Sequence, residues 1–139
     1  MILQSAICKL LKTQLTALGY DSWLSLSPDE QTYPFCVYNV ATSNIDQAFI
    51  KNLEYMRVTI SVFDDNSSPT TSITMMNAIE TLFDRNTTLT IDPAVGTLIC
   101  IKKINEINPI KATSNYNAQN DDFYTMGVIE FIFIAERTI

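Results

Sequence analysis

Histidine is absent from this 139-residue chain. With it go the commonest general base and the commonest transition-metal ligand, so every histidine-based triad or zinc centre is excluded. Glycine is scarce, with Gly19, Gly96 and Gly127 alone. Three glycines so far apart supply neither GxGxxG nor GxxxxGK[ST], the loops that cradle phosphates. Basic residues are also few: nine Lys and Arg against fifteen Asp and Glu leave a net charge of −6. That balance argues against binding nucleic acid through its phosphates, which takes clustered Lys and Arg. No apolar run approaches the roughly 20 residues of a membrane-spanning helix, so no membrane partner is expected. The first residues, "MILQSAICKLLKTQL", lack the basic start, apolar block and cleavage site of a secretory signal. The chain is therefore expected to stay where it is made until it is assembled.

Cysteine is present but unpatterned. Cys8, Cys36 and Cys100 are odd in number and widely spaced, which gives neither a disulfide framework nor a CxxC metal site. Each has apolar neighbours, so all three are expected to be buried free thiols.

What is there is a globular composition. Hydrophobic residues make up 47% and charged residues 17%, which is core-forming rather than disordered. The length suits one domain, residues 1–139, with one core. Leu3, Ile7, Leu10, Leu11, Leu15 and Leu18 recur at helical spacing, with Lys9, Lys12 and Gln14 off that stripe. They predict an amphipathic helix over 2–18, ended by Gly19. A turn-rich stretch follows, with a short strand around Trp23, Leu24 and Leu26 and a corner at Ser27-Pro28-Asp29. Pro34 then opens a strand over 35–42. Met56, Val58, Ile60 and Val62 alternate with Arg57, Thr59 and Ser61 over 53–63, a strand with one wet face. Ser68 and Pro69 are suited to start a second helix, with Ile73, Met76, Ile79, Leu82 and Phe83 on its apolar side. Met75 and Met76 read as core filler. Strands are expected at 88–91, at 97–107 and, apolar on both faces and so central, at 123–136. Between the last two lies "NPIKATSNYNAQNDD", residues 108–122, a polar connection long enough to suggest a functional role. It is expected to be mobile in the free subunit and to touch a partner. The order of elements predicts an α+β fold: a mainly antiparallel sheet with two helices packed on one face.

The run "DDNSS" at 64–68 poses the one question of chemistry. A calcium loop places oxygen ligands at alternate positions over a dozen residues, with a glycine and a distal glutamate. Position 69 is Pro and residues 70–76 carry no carboxylate. Asp, Asn and Ser instead build turns through side-chain bonds to the backbone, so the run reads as a corner. No metal, cofactor or catalytic constellation emerges, and no enzyme activity is expected. The Asn-Ser-Ser and Asn-Thr-Thr sequons at 66 and 86 carry no meaning without a secretory signal.

Two segments carry a resemblance. "YPFCVYNV" (33–40) and "VTISVFDDNSSPTTSITMMNAIETLFD" (58–84) resemble the strand, and then the strand, polar corner and helix ending in "LFD", of the tail-completion or tail-terminator proteins of tailed phages. Two departures are visible: Asn39 replaces the family's glycine after the first strand, and the segment over 105–122 is longer. The resemblance implies a structural virion protein of the tail or neck, made in the host cytoplasm. It implies a homo-oligomeric ring, commonly a hexamer, that caps the tail tube, ends its polymerisation and joins tail to head connector. Its partners would be the tail tube protein and the head connector protein, with DNA passing through unbound. A closing ring needs head-to-tail contacts between unlike patches. Candidates for them are Arg57, Thr59 and Ser61 on the wet strand face, with Lys111, Asn115, Tyr116, Asn117, Asp121 and Asp122 in the long connection. Two alternatives remain at this point: a head-side neck or stopper protein, and a small cytoplasmic domain binding a ligand in an apolar pocket between sheet and helices.

Overall fold

The computed structural model describes residues 2–25, 33–42, 53–65, 70–113 and 123–138. Helix α1 (Ile2–Ala17) leads into β1 (Asp21–Leu24), β2 (Phe35–Thr42) and β3 (Leu53–Asp64). Helix α2 (Thr70–Phe83) and the long strands β4 (Gly96–Thr113) and β5 (Phe123–Arg137) complete the chain. The strands form one sheet in the order β1-β2-β3-β5-β4. Among the described residues only the β1–β2 pair is parallel; β2–β3, β3–β5 and β5–β4 are antiparallel. The α+β expectation is met.

Both helices cover one face. On α1, Leu3, Ile7, Leu10, Leu11 and Leu15 are all buried, as the stripe requires. Gly19 then closes the helix with a φ of 89°, a conformation that costs glycine no Cβ clash. Beneath the helices lie the alternate residues of each central strand: Val58, Ile60 and Val62 on β3, and Ile129, Phe131 and Phe133 on β5. From α2, Met75, Met76, Ile79 and Phe83 are buried against them. Phe83 meets the rings of Phe131 and Phe133 at centroid distances of 5.8 and 6.0 Å. Strand β5 has a neighbour on each side, as its two-sided apolar sequence demands.

Four expectations are corrected. No strand forms at 88–91. There the Asn86 side chain takes over: its Oδ1 accepts from the Thr88 and Leu89 amides at 2.7 and 3.1 Å, holding a turn that competes with strand pairing. Its Nδ2 also donates to the Leu82 carbonyl and so caps α2, with Arg85 in the left-handed region at φ 58°. The connection expected to begin at residue 108 begins later, because β4 runs on to Thr113. Ile73, expected on the apolar side of α2, is exposed, and Met75 occupies the buried position instead. Of the three thiols only Cys36 is buried; Cys8 is half-buried and Cys100 is exposed on β4.

Two outcomes follow from this packing. Leu11→Ala should lower stability by about 2–5 kcal/mol, because a fully buried leucine leaves a cavity; urea unfolding followed by circular dichroism measures it. In native protein a thiol reagent should modify Cys100 first and Cys36 only on unfolding. Burial pushes the Cys36 thiol up to about 12, which withholds the reactive thiolate. Mass spectrometry of timed alkylation gives the order.

Candidate functional site

Because both helices sit on one face, the other face of the sheet has no helix over it among the described residues. Register decides what it presents. Residues of β3 with odd numbers, Tyr55 to Phe63, alternate away from the buried set. Opposite them on β5 stand Met126, Val128, Glu130, Ile132 and Ile134, all half-buried. Arg57, Thr59 and Ser61 therefore lie where the sequence put them, in one row on the open face.

Arg57 is not a free charge. Its Nε and Nη2 both lie 2.5 Å from Glu130 Oε2, and Asn105 Nδ2 donates to Glu130 Oε1 at 3.4 Å. Three adjacent strands are thus stitched by one polar group on a face that also carries Thr59, Ser61 and the half-buried aliphatics of β5. The arginine side chain keeps about half of its surface in water (53%), so the pair adds little to stability and leaves a face able to hydrogen-bond. Of the other expected interface residues, Lys111 falls within β4, opposite Thr125. Asn115, Tyr116, Asn117, Asp121 and Asp122 lie outside the described residues.

The edge strand β4 supplies what the sequence reading missed. Ile99, Ile104, Ile107 and Ile110 are all about half exposed. Pairing with β5 slips at three places, between Leu98 and Cys100, Lys103 and Asn105, and Ile107 and Ile110. Each slip is a bulge that resets the alternation. An isoleucine at every third position, 101, 104, 107 and 110, fits neither helix nor strand. That odd period was the available signal. On the helix side of the same strand, the Lys103 ammonium is held by Glu80 of α2 and by Glu106. Hydrogen bonding to Glu80 raises its pKa above the usual lysine value.

The corner at 64–68 divides in two. Asp65 is exposed, whereas Asp64 ends β3 buried, with Oδ2 lacking a hydrogen-bond partner among the described residues. Beside it Ser72 Oγ and Thr125 Oγ1 share a buried 2.7 Å hydrogen bond, and Thr125 Oγ1 donates to the Asp64 carbonyl at 3.3 Å. The first turn of α2 is so pinned to the β3–β5 end of the sheet. Residues 66–69 lie outside the described residues.

The space between sheet and helices, where a ligand pocket was the alternative, is filled by side chains such as Phe83, Phe131 and Met56. Among the described residues, two clefts stand out elsewhere. One of about 580 Å³ runs between α1 and residues 90–95, with Lys9 and Asp92 in its lining. The other, about 530 Å³, lies near Leu18, Asn77 and Asn86.

The fold is similar to that of a chain in the virion of a native gene transfer agent particle. The two align with a TM-score of 0.61 over 97% of this chain and 93% of that one, at 14% identity. Likeness at that identity is likeness of fold. No protein-family model matches the chain, and no curated protein matches its sequence.

The Ser72–Thr125 contact carries a testable consequence. Thr125→Val should cost about 1–3 kcal/mol by stranding a buried hydroxyl, whereas Asp65→Asn should stay within about 0.5 kcal/mol. Parallel urea titrations of the two variants compare them.

Proposed function

We propose that the protein is a structural component of a phage-like virion, built into the ring that closes the tail tube and meets the head connector. The observation that carries this reading is the fold likeness, nearly end to end, to a chain of a gene transfer agent virion. The resemblance of residues 33–40 and 58–84 to tail-terminator proteins supports the finer placement. The surface agrees with it. A subunit whose helices occupy one face keeps the other face and both sheet edges for neighbours, and ring closure needs unlike patches. An acidic chain also offers few charges on which passing DNA would stick. The filled space between sheet and helices supports assembly over small-molecule binding.

Removal of the chain from its particle tests the placement. Without it, negative-stain microscopy should show filled heads apart from tails of uneven length, and restoring the protein should restore joining. Joined particles with tails of normal length in its absence would contradict the ring reading. Tails of normal length beside heads that lose their DNA would assign the chain to the head side of the joint.

A further inference from the structure

Both edges of the sheet carry apolar side chains in the open. Leu24 on β1 and Ile99, Ile104, Ile107 and Ile110 on β4 are exposed. An edge of this kind whose backbone groups are also open is a template for a strand of another chain. The ladder shows which carbonyls face outward on the β1 side. The Ser25 amide donates to the Tyr38 carbonyl at 2.9 Å, so even residues of β2 turn their carbonyls toward β1, and odd residues of β1 bond to β2. Ser25 lies in the left-handed region at φ 66°, and among the described residues no strand follows it beside β2. Two carbonyls are thereby left facing out: Ser22 on the outer side of β1, and Val40 on β2 beyond the end of β1. Both are taken by α1. Gln4 Nε2 donates to the Val40 carbonyl at 2.6 Å, and Lys12 Nζ donates to the Ser22 carbonyl. Positions 4 and 12 are about 12 Å apart along a helix. Ser22 stands opposite Cys36, and from position 36 to position 40 a strand runs about 13 Å, so donors and carbonyls are spaced alike. At the other edge, Asp84 Oδ1 accepts from the Lys103 amide at 2.9 Å and the Arg85 amide donates to the Ile101 carbonyl at 2.8 Å.

We infer that these groups guard the sheet: Gln4 and Lys12 at the β1 edge, and Asp84 with the Arg85 amide at the β4 edge, keep a second copy of this chain from adding its own strand. An incoming strand gains affinity from main-chain hydrogen bonds, and these partners already hold the groups it would use. Lys12 adds a second obstacle. Its ammonium lies 4.8 Å from the centroid of the Trp23 ring, so a charge rests along the β1 edge and would have to be displaced or buried. One helix sets both guards of that edge, because the stripe that packs α1 on the core also fixes where Gln4 and Lys12 reach. The apolar side chains stay available. Neighbours can meet through Leu24 or the β4 isoleucines while their sheets remain separate. The inference goes beyond the ring reading and does not depend on it.

Removing the donors tests this. Gln4→Met and Lys12→Met together keep the length of both side chains and their fit to a helix while deleting both hydrogen bonds. Wild type and the double variant are compared over a concentration series, well below their melting temperatures, by the infrared band of intermolecular sheet and by thioflavin T fluorescence. The double variant should keep the far-UV circular dichroism of wild type when dilute. It should gain intermolecular sheet about tenfold faster than wild type or more, the rate rising with concentration. Lys12→Arg, which keeps a donor and the charge, should behave as wild type. Leu11→Ala, weakened in the core with both guards in place, should gain no such sheet. A folded double variant that gains sheet no faster than wild type overturns the inference, and so does equal gain in Leu11→Ala, since growth would then report instability alone. If the double variant does not fold, Gln4→Met alone and Asp84→Ala, each freeing one edge group, are read in its place with the same two outcomes. A closed ring of wild-type subunits changes sedimentation without adding sheet, so failure here leaves the ring reading standing.

Discussion

Phe83 of α2, lodged against Phe131 and Phe133 of β5, is the contact on which the rest of the structure depends. It binds the second helix to the one strand that has a long partner on each side. Strand β5 pairs with β3 along Leu53–Asp64 and with β4 along Gly96–Thr113, so its alternation sets which side chains face inward on both. A slip of one residue at β5 would exchange the buried phenylalanines for Ile132, Ile134 and Glu130, and the glutamate would be forced under the helices. The aromatic contact thereby fixes the inner face, and the outer face follows from it without further choice.

That division gives the molecule its two chemistries. The covered side is apolar, and its buried polar groups among the described residues are few, such as the Ser72–Thr125 pair that seats the start of α2. The open side mixes half-buried aliphatics with one stitched polar group, Arg57–Glu130–Asn105. Such a surface is too apolar to be mere solvated exterior and too polar to collapse on itself, which suits contact made after folding.

Most of the fold was legible in the sequence because its patterns are clean. The leucine stripe of α1, the strict alternation of β3 and the two-sided apolar run of β5 each fit one period, and β2 begins at Phe35 as Pro34 announced. What was not legible depends on single side chains and on register. Asn86 turns 88–91 away from strand pairing by bonding the backbone locally, a choice that composition does not reveal. Bulges in β4 leave Ile99, Ile104, Ile107 and Ile110 exposed while Ile101 stays buried, and the pairing partner that creates them lies 16 to 37 residues further on. The wet face of Arg57, Thr59 and Ser61 was readable; that Glu130 ties up Arg57 was not, because the partner is 73 residues away.

On the proposed function, one side of the sheet is spent on folding while the edges serve assembly. Amide hydrogen exchange, compared between dilute subunit and assembled oligomer, tests that division most directly. Protection should rise on assembly along β1 and β4 and stay unchanged through α1, α2 and the central strands, whose amides are already held in the subunit. Protection gained instead along the outer faces of α1 and α2, with β1 and β4 still exchanging as in the free subunit, would contradict it.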